Sequence, residues 1–362
     1  MLNYKRALPK FAVLALLTLV SACAPVPDLT GIEASFSQGT IGAGATKPSV
    51  DLLQSDFGQR VRSAVETSPT LAQSNTRLDI AAANQDAAQG AFLPQVSLGL
   101  NARSERVASD IADVSPFLRV SQLVYDGGAA TGGLAAARAR VFESYGDQLQ
   151  TAAATTLAAI ETYVAVLDRR RILDITARNV AAHEDLLRQI SDRAASGAGS
   201  TADVLTARSR MADARTRFAD AKTRSDRAEA RFTEVFGTMP GVLAPVIAAP
   251  VLERNDTQIV KNSPQVRRAD AALVAARAEY AAALARRQPE VRMAAFANRD
   301  QSRDANFGVD LAFNYEIDST GQRRATITAA EAQVREAEFA RETLIREITR
   351  ELGFIRSDQK AG

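Results

Sequence analysis

The decapeptide Ser196-Gly197-Ala198-Gly199-Ser200-Thr201-Ala202-Asp203-Val204-Leu205 interrupts a stretch, Ala129 to Phe236, that runs for more than a hundred residues without a proline. Gly197 and Gly199 destabilise helix and permit a left-handed C-cap, so the chain turns back at this point. Thr201 reads as the N-cap of the returning limb, with Asp203 near its positive end. The whole stretch is therefore a single helical hairpin. On its first limb, Ala129 to Arg193, the residues Leu149, Ala153, Thr156, Ile160, Tyr163 and Leu167 follow one another in steps of four and three, on one helix face. That limb would be roughly 95 Å long at about 1.5 Å per residue. The period resumes through Val204, Leu205, Met211, Phe218 and Phe232 to Gly237. A helix this long cannot bury its stripe inside its own monomer.

Composition removes several function classes. The 362 residues include one Cys, one His and no Trp, so metal and nucleophilic chemistry have little material. His183 stands alone in the polar context Ala182-His183-Glu184-Asp185 and reads as an exposed helix residue. Carboxylates fall at ordinary spacing on charged helix faces, which is the pattern of solvated surface and not of an enzyme. The balance of 44 basic against 42 acidic residues gives no reason to expect a nucleic-acid partner. No cofactor is expected, and no catalytic or metal-binding residue.

At the N-terminus Lys5, Arg6 and Lys10 precede an apolar run from Phe11 to Val20, short for a membrane span but suited to the core of a signal peptide. The next residues, Leu19-Val20-Ser21-Ala22-Cys23, resemble a bacterial lipobox. The resemblance implies cleavage after residue 22 and acylation of Cys23, the chain's only cysteine. In the sorting rule that accompanies such motifs, Ala24 after the cysteine implies passage to the outer membrane. Residues 23–50 are rich in Pro, Gly, Ser and Thr and read as an extended tether. Asp51 to Glu66 then reads as one amphipathic helix, with Leu52, Leu53, Phe57, Val61 and Val65 on its apolar side, and a second helix runs from Thr70 to Ala91.

After Pro94 the period changes to two. Val96, Leu98, Leu100 and Ala102 alternate with Gln95, Ser97, Gly99, Asn101 and Arg103, which predicts a strand with one apolar face. A polar loop around Asp110 and Asp113 follows, then Pro116 and a second strand carrying Leu118, Val120 and Val124 up to Tyr125-Asp126-Gly127-Gly128. The pattern then recurs. Ser68-Pro69 returns as Ser263-Pro264 and Pro94 as Pro289, both 195 residues on, with Leu78 matching Leu273 and Val96 matching Val291. Alternation continues at Val291, Met293, Ala295 and Ala297 and at Phe307, Val309, Leu311, Phe313 and Tyr315. Asp318-Ser319-Thr320-Gly321 stands in place of Asp126-Gly127-Gly128, and a helix rises through Ile327, Val334, Phe339 and Ile345. The order helix, strand, strand, long helix is stated twice, with the repeats at 51–236 and 257–362 and a linker at 237–256.

In these features the chain resembles the outer membrane efflux proteins of the TolC type. The repeated Ser-Pro before an Ala-rich helix and a Pro-x-Val strand, the junction Leu123-Val124-Tyr125-Asp126-Gly127-Gly128 and the decapeptide at Ser196 carry the resemblance, across roughly residues 51 to 356. It implies an α+β membrane protein in which a homotrimer closes an outer-membrane β-barrel, four strands per protomer, continued by a long periplasmic α-helical barrel. It further implies a passive, lipid-anchored exit duct for drug efflux or type I protein secretion. Its partners would be a periplasmic adaptor (a membrane fusion protein) and an inner-membrane transporter. Adaptor contact would fall at Gly197, Gly199, Ser200, Thr201, Asp203, Val204 and Leu205. The competing reading is a structural or adaptor-like coiled-coil lipoprotein without a channel, which leaves the paired alternating segments and the repeat unexplained.

The repeats differ in length. From Gly128 to Gly237 there are 237 − 128 = 109 residues, but from Gly321 to Gly362 only 41, so the second repeat is expected to lack a returning helix, as a C-terminally truncated family member would. The stripe at Ile327, Val334, Ile345 and Leu352 would then lose a neighbour.

Overall fold

A computed structural model describes residues 28–37, 50–103, 113–247, 255–299 and 306–361. The expected signal peptide, Cys23 and the loop residue Asp110 lie outside the described residues. The elements run α1 (Thr30–Ser37), α2 (Val50–Gln54), α3 (Asp56–Glu66), α4 (Pro69–Gln89), β1 (Gln95–Arg103), β2 (Asp113–Tyr125), α5 (Ala129–Ala195) and α6 (Thr201–Phe236). They continue with α7 (Asp256–Asn262), α8 (Pro264–Ala285), β3 (Glu290–Asn298), β4 (Asn306–Asn314) and α9 (Gln322–Ala361). The repeat is visible in the boundaries: α8 starts 264 − 69 = 195 residues after α4, and β3 starts 290 − 95 = 195 after β1. By α9 the offset has become 322 − 129 = 193.

Two compact units form, and the division falls inside α4 and α5. One holds Thr76–Asp147 and Asn255–Gly362 together with α1. Its strands make a single antiparallel sheet in the order β1-β2-β3-β4, so the two repeats join through the β2–β3 ladder, where Leu118 faces Ala297 and Val120 faces Ala295. Strand β2 begins earlier than the sequence suggests, at Asp113, and carries Pro116 inside it. The proline is tolerated because the β3 ladder has ended at Phe117, and the Pro116 carbonyl accepts from Arg299 N at 3.1 Å.

Small residues set the helix spacing in this unit. A Cβ added to Gly132 would lie 2.9 Å from the Cβ of Ala282, and one on Gly146 would lie 2.8 Å from that of Arg268. Between these points Ala135 and Ala136 of α5 meet Ala278 of α8, all buried. The alanine richness of the chain is thus spent on close antiparallel packing. α9 lies along α8 in turn: Leu352, Ile345 and Ile348 pack on Val260 and Val266, and Arg277 pairs with Glu338 at 2.7 Å. The stripe thus has one neighbour within the chain: Leu352 is buried and Ile327, Val334 and Ile345 are half-buried.

The stretch read as an extended tether also needs correction. Residues 30–37 form α1, started by Asp28, whose Oδ1 accepts from Thr30 N at 2.9 Å. Ile32 and Phe36 are buried, and Phe36 stacks on Phe142 at 5.4 Å.

The other unit comprises Ala45–Asn75 and Gln148–Arg254. The helix expected from Asp51 to Glu66 is broken in two. Ser55 caps α3 by accepting from Gly58 N at 2.9 Å, and Gly58 sits against the Leu52 carbonyl, where an added Cβ would come within 1.9 Å. Phe57 and Val61 of α3 meet Ala159, Tyr163 and Val166 of α5 and Phe232 of α6. On α5 the buried residues here are Ala159, Tyr163 and Val166, with Ile160 and Leu167 packed against them, so the predicted stripe faces this core through Ile160, Tyr163 and Leu167 while Ala153 is exposed. After α6 ends at left-handed Gly237 (φ 71), the linker is pinned to α5. Tyr163 Oη donates to Ala244 O at 3.0 Å, and Arg170 donates to the carbonyls of Pro240 and Gly241, both at 2.7 Å, and to Glu229 at 2.8 Å.

The turn from β2 into α5 is tightly constrained. Gly127 has φ 69, and a Cβ there would lie 2.5 Å from the Cβ of Gln288 and 2.8 Å from the Ala285 carbonyl. Gly128 has φ 95 but open space around it. Gly127→Ala should cost more than the ~1–2 kcal/mol of a left-handed non-glycine residue, because the clash adds to it. Gly128→Ala should cost only the backbone part. Denaturant midpoints of the two purified variants test this, and equal losses would refute the close approach.

Candidate functional site

The four strands give the sheet one largely apolar face and one mixed, more polar face. On one face the register aligns Val96, Val120, Ala295 and Val309 across all four strands, and beside them Leu98, Leu118, Ala297 and Phe307. Met293 and Leu311 extend the same face. It is uncovered, with Leu98 81% and Phe307 80% exposed. The opposite face carries Ser97, Arg119, Ser121, Arg292 and Asp310. The alternation predicted from sequence is thus observed, but the apolar side faces outward. A register shift between Leu123 and Tyr125 ends the pattern at the helix end of β2.

Both strand-to-helix junctions use the same device. Asp126 accepts from Gly128 N at 2.9 Å and Ala130 N at 2.6 Å, capping α5, while Asp318 accepts from Arg323 N and Arg324 N at 3.3 and 3.1 Å, capping α9. Desolvation works against the Asp318 carboxylate, but those backbone N–H groups and the Arg323 charge outweigh it and hold its pKa below the usual value. Between the junctions lies a cleft of about 850 Å³ that both aspartates line.

At the hairpin turn, α5 closes with a left-handed Gly197 (φ 81), Gly197 N bonding to Ala194 O and Ala198 N to Arg193 O. This is the double closure of a Schellman end. The N-cap of α6 is Ser200 and not Thr201. Ser200 Oγ accepts from Ala202 N at 3.0 Å, and the Asp203 carboxylate accepts from Ser200 N at 3.3 Å. Ser200 is chosen because it, and not its neighbour, sits in extended backbone (φ −99, ψ 143) with Asp203 at the third helical position. Gly199 is close to the end of α5, where an added Cβ would be 3.1 Å from Ala194 N. Val204 is half-buried, but Leu205 is 60% exposed beside the turn. The predicted contact residues are therefore gathered on one small turn.

Among the described residues no group of three or more His, Cys, Asp or Glu is placed to hold a metal ion, and no helix is long and apolar enough to cross a membrane. His183 is half-buried on α5 and not exposed as its polar surroundings suggest.

The geometry defines a class of protein, built from two helix–strand–strand–helix repeats that share one sheet with a bare apolar face. Within that class the chain belongs to the outer membrane efflux protein family, which it matches over residues 61–238 and 257–352. It is similar to the outer membrane efflux protein BepC of Brucella suis biovar 1 (strain 1330), 25% identical over 173 residues. That match spans 47% of this chain and 38% of BepC. Among solved structures it is similar to a membrane protein from Pseudomonas aeruginosa, with a TM-score of 0.76 and 18% identity over 94% of this chain and 85% of that one. The outer membrane protein VceC from Vibrio cholerae gives a TM-score of 0.76 and 16% identity, covering 87% of this chain and 82% of VceC.

A charged cleft of about 350 Å³ in the same unit as the sheet is lined by Arg77, Arg140, Glu143, Asp147 and Arg268. Asp147 pairs with Arg268 at 3.2 Å and Arg77 at 3.7 Å. Burial pushes the Glu143 carboxyl above its ordinary value of 4.5, against the pull of Arg140 and Arg268 and with the help of Asp147 and Glu279. The folded state thus holds this proton to higher pH than the unfolded chain, so Glu143 costs stability as pH rises from about 4.5. Glu143→Gln should melt higher than the parent at pH 7 and equal to it near pH 4. Scanning calorimetry at the two pH values checks it, and a pH-independent difference would contradict the assignment.

Proposed function

We propose that this chain is the outer-membrane exit duct of a tripartite export system, acting as a homotrimer with a periplasmic adaptor and an inner-membrane transporter. The observation that carries the reading is the bare apolar face. Fully burying a large apolar side chain is worth about 1.5–3 kcal/mol, so Leu98, Leu100, Phe307 and Val309 together forgo roughly 6–12 kcal/mol when they face water. Whole domains are stable by only about 5–15 kcal/mol. Lipid is the medium in which that face costs nothing.

Lipid in turn forbids open sheet edges, because backbone N–H and C=O groups have no water to bond there. Strands β1 and β4 are the edges of this sheet, and four strands are too few to close on themselves. Strands β1, β3 and β4 have nine residues each, the length of a tilted transmembrane strand. Copies of the chain therefore join β4 to β1, three of them making a twelve-stranded barrel, and the long helices continue it into the periplasm. The polar face lines the lumen. Family membership supports the same reading, with small toxic molecules or secreted polypeptides as cargo and no catalytic step.

The exposed Leu205 beside the Gly197–Ser200 turn is the proposed adaptor contact, because small residues there let another backbone approach closely. In detergent the purified chain should run as a trimer and conduct in planar bilayers. Leu205→Glu should keep both properties and lose export in cells by about tenfold or more, the scale of a central interface residue. A monomer without channel current overturns the duct, and full export by Leu205→Glu overturns the contact.

Cys23 is proposed as the acylated mature N-terminus, held in the bilayer by about 0.8 kcal/mol per buried methylene. Mass spectrometry of the mature protein should find a lipid-modified N-terminal cysteine. An unmodified terminus at another residue rules it out.

A further inference from the structure

Among the side chains described, the strands put all their charges on the polar face: Arg119 of β2, Glu290 and Arg292 of β3, and Asp310 of β4. Glu290 and Arg292 pair with each other at the helix end of β3, where Glu290 borders the junction cleft. Arg119 and Asp310 stand in mid-strand. Arg119 is opposite Phe296 and Asp310 is opposite Ala294, so β3 lies between the two charges. Two strand spacings separate β2 from β4 by roughly 10 Å. The arginine nevertheless crosses the gap, and Nη2 donates to Asp310 Oδ2 at 3.2 Å.

Small residues flank the crossing. Ala294, the one buried position of β3, is 4% exposed. Phe296 lies over Gly308, where an added Cβ would come within 2.5 Å of its ring. Glycine on β4 thus accommodates the ring, and the β3 residue opposite Asp310 is an alanine. Asp310 Oδ1 is buried and has no hydrogen-bond partner, so the carboxylate is held through Oδ2 alone. Both side chains are roughly half exposed, and ion pairs of that kind add little to stability. What the pair does supply is neutrality at the middle of a polar wall.

We infer that the Arg119–Asp310 pair sets the charge preference of the duct: paired, it leaves the wall neutral, and solutes of either sign or none pass through. The inference rests on the reading of the chain as an oligomeric duct with its polar face inside. In a closed trimer each unpaired arm would appear as a ring of three like charges. Rings of charged side chains in a low-dielectric wall attract the opposite ion, and lumen positions of barrels tune selectivity in this way.

The experiment is a reversal-potential measurement on the full chain in planar bilayers under a potassium chloride gradient. The parent should show little preference between the two ions. Asp310→Asn, which leaves Arg119 unpaired, should shift the permeability ratio toward chloride by about twofold or more, and Arg119→Gln should shift it toward potassium by a similar factor. The two shifts are opposite in sign, so either variant decides alone if the other fails to insert. Arg119→Gln combined with Asp310→Asn should restore the parent ratio. Channels whose ratio is unmoved by the substitutions would reduce the pair to a cross-strand strut and overturn the inference while leaving the duct intact. A parent with strong selectivity would overturn it as well, and a parent with no current would remove the duct and the inference together.

Discussion

Along the outer edges of β1 and β4 the backbone has no ladder partner among the described residues, and the same four strands turn their apolar side chains away from the chain. A sheet cannot persist in water with both liabilities. Each could be met separately, by a covering helix or by a capped edge; in the duct proposed above, lipid and further copies of the sheet would meet both at once. Much else in the unit serves to hold that sheet at the end of helices. Asp126 and Asp318 fix the first turns of α5 and α9 after a strand, and Gly127 lets the Gln288 side chain and the end of α8 approach the first junction.

The helices are packed by subtraction. Gly132, Ala135, Ala136 and Gly146 on α5, against Ala278, Ala282 and Arg268, bring two backbones close without large side chains between them. Close packing of small residues buries little apolar area per residue, and polar contacts accompany it: Arg140 with Glu279, Arg268 with Asp147, Arg277 with Glu338. In the other unit the balance is reversed, with a core of aromatic rings. Phe57 meets Tyr163 edge-on at 4.9 Å, and Phe232 stacks on Phe236 at 4.0 Å. Rings of this kind add directional preference to area burial, and here they gather three helices around one tyrosine whose hydroxyl holds the linker.

What chain-local chemistry dictates could be read directly. The proline-free run, the Gly197 turn, the alternation after Pro94 and Pro289, and the 195-residue repeat each depend on neighbours a few residues away or on a comparison of the chain with itself. They gave the helices, the strands and the duplicated order. The errors lie where a choice between adjacent residues is made by geometry. Ser200 and Thr201 are both good caps by composition, and only the extended backbone at Ser200, with Asp203 reaching back, separates them. Ser55 and Gly58 break a helix whose apolar period is unbroken, because a serine cap and a carbonyl approach leave no mark in periodicity. α1 is hidden for the opposite reason: the buried residues described in it, Ile32 and Phe36, set no period, and Phe36 packs on rings of α5 more than a hundred residues away.

The sequence by itself determined which residues share a face: a strand's side chains alternate whatever surrounds it, so Val96, Leu98 and Leu100 had to lie together, as did Phe307, Val309 and Leu311. Whether that face would be buried or bare was not in the alternation, because the period is the same for a sheet on a core and a sheet in lipid. Tertiary structure decided it, by pairing β2 with β3 so that four short apolar stripes became one surface and by leaving that surface uncovered. The same pairing brought Arg119 within reach of Asp310 across 191 positions of chain, a contact that no local pattern encodes.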